Sequence, residues 1–209
     1  MTAIPISTYE APPTPPVAHE RHPFRYSLER YHAAIEAGIF TENDAIELIF
    51  GEIIEKLPIG IRHRDCVDLI TELFVLKFAG RYRCSAQNPI TVLGTSEPEP
   101  DFVIFDKTSY QQHSGQPSSK DIRLLVEVSD ATLDYDRAVK LKMYALAGIR
   151  EYWIINLKQD QVEVHLSPVT ASGDYNSIQR HPRGATFESP LCGSMSVDEL
   201  LPPPKEETE

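Results

Sequence analysis

The sequence predicts an α/β protein with a central mixed β-sheet flanked by helices, and three observations carry that expectation. Ile122 to Val128 is an almost unbroken apolar run, the pattern of a strand buried on both faces. It is followed by helical spacing from Leu133 to Ala147, which Gly148 stops, and then by a second strand, Glu151 to Asn156. That strand–helix–strand order predicts a right-handed parallel crossover. Ahead of it, short strands at Tyr82 to Ala86, Ile90 to Leu93 and Phe102 to Phe105 predict antiparallel neighbours.

The remaining elements follow in order. Residues 1–24 hold Pro5, Pro12, Pro13, Pro15, Pro16 and Pro23 and read as an extended arm. Ser27 to Gly38 has Leu28, Tyr31, Ala34 and Ile35 at helical spacing. Ile46 to Lys56 splits around Gly51 into two short strands. His63 to Phe78 is a second helix, with Val67, Ile70, Leu73, Phe74 and Phe78 inward. Residues 106–121 are polar and contain Ser114-Gly115-Gln116-Pro117, a loop, and Gln161 to Leu166 is a last strand. The expected division is an arm over 1–24, one domain over 25–200 and an acidic tail over 201–209.

With 209 residues the chain can bury a sizeable core, and no apolar run of about 18 residues predicts a membrane span. Met1 to Pro23 lacks a basic region leading into an apolar one, so no secretory signal is expected. Cys66, Cys84 and Cys192 are widely spaced, which speaks against a zinc site or disulfide framework and for a reducing cytoplasm. A net charge of −11 weighs against non-specific binding of nucleic acid, which depends on cations meeting phosphate.

Chemistry concentrates at one sheet edge. Glu97-Pro98-Glu99-Pro100-Asp101 opens the strand at Phe102, and Glu127 sits near the close of Leu124-Leu125-Val126-Glu127-Val128-Ser129. If these strands are antiparallel neighbours, Asp101 and Glu127 meet. Paired buried carboxylates need a cation, and a divalent metal supplies one. On the following helix Lys140 and Lys142 lie far apart around the axis, so at most one faces the acids. Lys140 is that one if Arg137 and Tyr144 also point to the sheet edge. Each residue has a bland reading too. Asp101 also reads as a turn residue after Pro100, and Lys140 as the partner of Asp136 on a solvated face. Glu52 reads equally as an exposed strand residue, His63 as a helix cap and Gln87 as a strand-end hydrogen-bonder.

The ordered run Glu47-Leu48-Ile49-Phe50-Gly51-Glu52, His63, Gln87-Asn88-Pro89, Glu97-Pro98-Glu99-Pro100-Asp101, Glu127-Val128-Ser129, Asp136-Arg137-Ala138-Val139-Lys140, Tyr144, Gly148 and Glu151-Tyr152-Trp153 resembles the Uma family of restriction-endonuclease-like proteins, within the PD-(D/E)XK nuclease superfamily. The resemblance spans roughly residues 25–165. It implies a restriction-endonuclease-like core and a metal-dependent nuclease hydrolysing phosphodiester bonds. Asp101, Glu127 and the Val128 carbonyl would hold Mg²⁺, or Mn²⁺ in its place, with Lys140, Glu52, His63 and Gln87 completing the catalytic set. The implied partners are nucleic acid, DNA in preference to RNA, and a second copy of the chain in a homodimer. Where the superfamily lysine would stand this chain has Ser129, and the pattern moves the lysine to Lys140. The alternative is a non-catalytic binding or assembly module that keeps the nuclease fold.

Overall fold

A computed structural model describes residues 22–41, 43–107 and 117–204. The proline-rich segment up to residue 21, Tyr110, Ser114-Gly115-Gln116 and the tail from residue 205 lie outside the described residues. The elements are α1 (Leu28–Glu36), β1 (Ile46–Ile49), β2 (Glu52–Glu55), α2 (Ile61–Phe78), β3 (Tyr82–Ala86), β4 (Phe102–Asp106) and β5 (Ile122–Ser129). There follow α3 (Leu133–Tyr135), a π-helical turn (Asp136–Lys140), α4 (Leu141–Leu146), β6 (Glu151–Asn156), β7 (Gln161–Val169), β8 (Asp174–Pro182), β9 (Thr186–Ser189), β10 (Gly193–Ser196) and a 3₁₀ turn (Val197–Glu199).

The main sheet has the order β3-β4-β5-β6-β7-β8. Only β5 and β6 pair in parallel; every other neighbouring pair in it is antiparallel. β5 is therefore central, and its alternate side chains feed two cores. Leu124, Val126 and Val128 pack with Val67, Ile70 and Phe74 of α2 and with Phe187 and Met195 of the β9–β10 hairpin. Leu125 packs on the other face with Leu141, Met143, Tyr144 and Ala145. That two-sided burial is why Arg123, Glu127 and Ser129 are the only polar residues of β5.

Three sequence expectations need correction. Ile90 to Leu93 is not a strand: it makes isolated bridges at Thr91 and Val92, then turns at Leu93 and Gly94, both with positive φ. Pro89 lacks a ladder donor, and the turn at Leu93 ends pairing. The helix from Leu133 is not uniform either, because its middle turn is widened to π geometry. The Leu141 N–H reaches the Asp136 carbonyl, and the Tyr152 hydroxyl donates to that same oxygen at 3.3 Å. β8 to β10 were not foreseen; their alternation is largely polar on an edge strand and a small hairpin.

The β1–β2 hairpin turns through Phe50 and Gly51 with φ of +50° and +79°. A Cβ on Gly51 would come within 2.9 Å of Arg25 Cβ and of the Tyr26 carbonyl oxygen. Glycine is required both by the left-handed φ and by that approach.

Candidate active site

The β4–β5 register sets the site. Phe102 pairs with Val126, so the next pair outward, Asp101 and Glu127, falls opposite one another on the same face. Asp101 stands at the mouth and is tied from three elements. The Val128 N–H of β5 donates to its Oδ2 at 2.8 Å, His63 Nε2 of α2 lies 3.1 Å from the same oxygen, and Gln87 Nε2 is 3.4 Å from Oδ1. Gln87 follows β3 in a left-handed conformation, φ +50°, and its N–H donates to the Asp101 carbonyl at 3.2 Å.

Glu127 is deeper, at 3% exposure. Both of its protein donors meet Oε1: the Tyr144 hydroxyl at 2.6 Å and Lys140 Nζ at 3.0 Å. Lys140 Nζ also lies 3.4 Å from Oε1 of Glu47, an acid of β1 whose same oxygen accepts the Glu99 N–H at 2.9 Å. The π turn and α4 put Asp136, Lys140 and Tyr144 on the inner face together, as buried residues. Asp136 is held through Oδ2, which accepts from Ser129 Oγ at 2.7 Å and Thr132 Oγ1 at 2.6 Å. Ser129, which ends β5, thus anchors the turn that brings Lys140 inward.

Four carboxyl groups, those of Glu47, Asp101, Glu127 and Asp136, surround one ammonium. Burial opposes the charge on Lys140, but Glu127, Glu47 and Asp136 outweigh it and hold its pKa well above the usual lysine value. Burial pushes the Glu127 carboxyl well above the usual carboxylate range, against the pull of Lys140, and Asp101, Asp136 and Glu47 push the same way. Burial likewise raises Asp136 despite Lys140 and its two hydroxyl donors. For His63, burial works against protonation, but hydrogen bonding and charge from Asp101 prevail and raise the ring's pKa. Tyr144 stays protonated, its pKa driven well up by burial and by Glu127.

The structure therefore brings Asp101, Glu127, Lys140, His63, Gln87 and the Val128 backbone together. It does not bring Glu52. That carboxylate lies 2.7 Å from the Arg25 guanidinium on β2, with its side chain 47% exposed. Glu47, five residues earlier, reaches Lys140 from the buried side of β1 instead. Arg137 also turns away, and its Nε donates to Glu163 Oε2 at 3.1 Å. Reading Asp136 and Lys140 as a solvated pair does not describe them, because both are buried. One sequence signal pointed to Glu47: it lies among Ile46, Leu48 and Ile49, whereas Glu52 follows a turn glycine.

The donor set suits a hard cation. Glu127 Oε2 accepts no hydrogen bond among the described residues, and Asp101 Oδ1 accepts only the long one from Gln87. Two carboxylates, a backbone carbonyl and water form the kind of oxygen shell Mg²⁺ takes. Among the described residues no three His, Cys, Asp or Glu side chains gather at metal-binding geometry. Water would have to fill the balance of such a shell.

The Uma2 family, described as "Putative restriction endonuclease", matches residues 28–198. Among solved structures, the chain is similar to a protein of Anabaena variabilis described as "a putative nuclease belonging to DUF820". The two share 14% identity and a TM-score of 0.65 over 84% of this chain and 97% of that one. That likeness concerns the fold. No curated protein matches the sequence, and among the described residues no helix is long and apolar enough to cross a membrane. With its family match running from α1 to the 3₁₀ turn after β10, the chain belongs to the Uma2 family.

Proposed function

We propose that this protein is a divalent-metal-dependent nuclease that hydrolyses phosphodiester bonds, with DNA as its substrate and Mg²⁺ as its ion. The observation that carries the reading is the pairing of Asp101 with Glu127 at one sheet edge, with the Lys140 ammonium 3.0 Å from Glu127. Asp101, Glu127 and the Val128 carbonyl would hold the ion. A bound divalent ion supplies charge neutralisation at phosphate and a more acidic water. Lys140 places a fixed positive charge where negative charge builds as water adds to phosphorus and the P–O bond to the leaving oxygen breaks. The proton lost by water passes to solvent, and one returns to the leaving oxygen. His63 and Gln87 position Asp101. A two-fold homodimer would suit cutting both strands of a duplex.

The test is cleavage of a panel of DNA and RNA forms, with and without Mg²⁺ or Mn²⁺, beside Asp101→Asn. Metal-dependent cleavage lost in that variant, with its circular dichroism unchanged, is the expected outcome; cleavage at the wild-type rate would rule Asp101 out. The second reading, a binding module on the same fold, is favoured by one observation: Lys140 already neutralises part of the acid cluster. Calorimetric titration separates the two. Mg²⁺ or Mn²⁺ binding that vanishes in Glu127→Gln supports the nuclease, whereas no binding at millimolar metal supports the module.

A further inference from the structure

A cleft of about 340 Å³ lies beside the acid cluster, lined among others by Arg25, Phe50, Glu52, Ile54, Tyr135, Val139 and Lys142. It adjoins the site through the chain itself. Tyr135 precedes Asp136, Val139 precedes Lys140, and Phe50 follows Glu47 by three residues on the β1–β2 turn. The Tyr135 hydroxyl is buried and has no hydrogen-bond partner among the described residues. A buried hydroxyl without a partner is costly and marks a place where a ligand can complete the bonding. It is kept as an O–H donor, since burial and then the charge of Glu47 push its pKa up to about 12.

Cations frame the same cleft. Lys142 is exposed and has no ion pair among the described residues. Its stem is held, because a Cβ on Gly173 would come within 2.8 Å of Lys142 Cγ. The Arg25 guanidinium is fixed at the rim by Glu52 at 2.7 Å and by a hydrogen bond to the Phe50 carbonyl. Between them stands an apolar wall of Phe50, Ile54 and Val139. Glu52 offsets the charge of Arg25, so Lys142 and the unpaired Tyr135 O–H donor are what the cleft offers an anion beside its apolar wall. The size lies within the range of small-ligand clefts.

We infer that this cleft is a nucleotide subsite, in which Lys142 and the Tyr135 hydroxyl take a backbone phosphate and Phe50, Ile54 and Val139 receive the adjoining base or sugar. It deepens the nuclease reading and rests on it for the identity of the strand: the subsite would hold a nucleotide flanking the one whose phosphate meets Lys140. Phosphate contacts fix register, while an apolar and aromatic wall accepts any base face.

The test separates the subsite from the chemistry by omitting metal. Binding of a fluorescein-labelled DNA oligonucleotide, single-stranded and duplex, is followed by anisotropy in EDTA with the full chain. Tyr135→Phe should weaken binding by roughly tenfold, the loss expected of one hydrogen bond to phosphate. Lys142→Ala should weaken it too and reduce the slope of log K against log salt by about one. Circular dichroism checks that each variant folds, and Lys142→Arg, which keeps the charge, should restore most of the affinity. Unchanged affinity in both variants overturns the subsite even if Asp101→Asn abolishes cleavage. A loss in Lys142→Ala alone is a general charge effect and overturns it as well, as does absence of binding by the wild type. Weakened binding in both variants, on a protein that cleaves nothing with metal, supports the subsite and sinks the nuclease.

Discussion

Two glutamates of the main sheet are almost equally hidden, Glu127 at 3% and Glu151 at 2% exposure, yet their surroundings differ in kind. Glu151 opens β6 and is closed in by neutral donors. Trp153 Nε1 donates to its Oε1 at 3.0 Å and Ser189 Oγ at 2.6 Å, and the Leu191 backbone adds to the same carboxyl. Ser189 in turn accepts the Cys192 N–H at 2.9 Å, so the acid pins the β9–β10 hairpin to the sheet. Glu127 has an ammonium instead of an indole and three further acids nearby. A carboxylate closed by neutral groups is finished as a structural joint. One set among like charges calls for a cation, and that difference in charge, not burial as such, marks the functional acid.

Removing each acid's partner should expose the contrast. Lys140→Met carries the largest expected effect, a stability loss of about 3–5 kcal/mol near neutral pH, because it strands buried carboxylates without their cation. Chemical denaturation measures it. The loss should shrink on acidification as Glu127 takes a proton, and a deficit that is flat with pH would refute the electrostatic account. Next in size, Glu127→Gln should lower metal-dependent cleavage by on the order of 10²–10³, whereas Glu151→Gln should leave the rate alone. Equal losses in the two would mean that Glu127 is no more special than its structural counterpart. A step smaller, Tyr144→Phe and Ser189→Ala each delete one hydroxyl donor to a buried acid and should cost about 1.5–3 kcal/mol. Mg²⁺ should recover part of the loss in Tyr144→Phe and none in Ser189→Ala, read as a thermal shift with and without the ion.

Much of this frame was legible in the residues. The apolar runs of β4 and β5 pointed to buried strands, and antiparallel pairing then put Asp101 beside Glu127, because a register of period two leaves little choice of face. The parallel step from β5 to β6 followed from the intervening helix. What escaped was tertiary in origin. The π turn over Asp136–Lys140 keeps a helical sequence pattern and is met by the Tyr152 hydroxyl of another element, a contact no local signal encodes. Glu47 enters only as part of the run that carries the family resemblance, and Glu52 stands out there because it resembles the upstream acid such folds contribute. The β1–β2 register puts both acids on one face of the hairpin, and burial separates them: Glu47 is 4% exposed, whereas the Glu52 side chain is 47% exposed. Strands β8 to β10 drew no assignment because edge strands and short hairpins leave half their residues in water.

The smallest effect concerns Glu151 and pH. Burial raises its pKa above the ordinary value of 4.5 in spite of Ser189 and Trp153. The folded protein then binds this proton more tightly than the unfolded chain does. Its stabilising contribution is complete below about pH 4.5 and is lost as pH rises through the higher folded value. Glu151→Gln keeps an acceptor for Trp153 and Ser189 and cannot ionise, so its stability relative to wild type should rise across that window, by at most about 1.4 kcal/mol per pH unit. Asp160 and Glu163 act in the opposite sense. Hydrogen bonds and charge from Arg62 on Asp160, and from Arg137 on Glu163, overcome burial and lower both, so their contribution is lost on acidification. The wild-type curve is therefore a sum of opposing slopes, and only the difference between wild type and variant isolates Glu151. Urea midpoints from pH 4 to 8 give that difference, and a flat one would mean that the neutral donors alone hold Glu151 at its ordinary pKa.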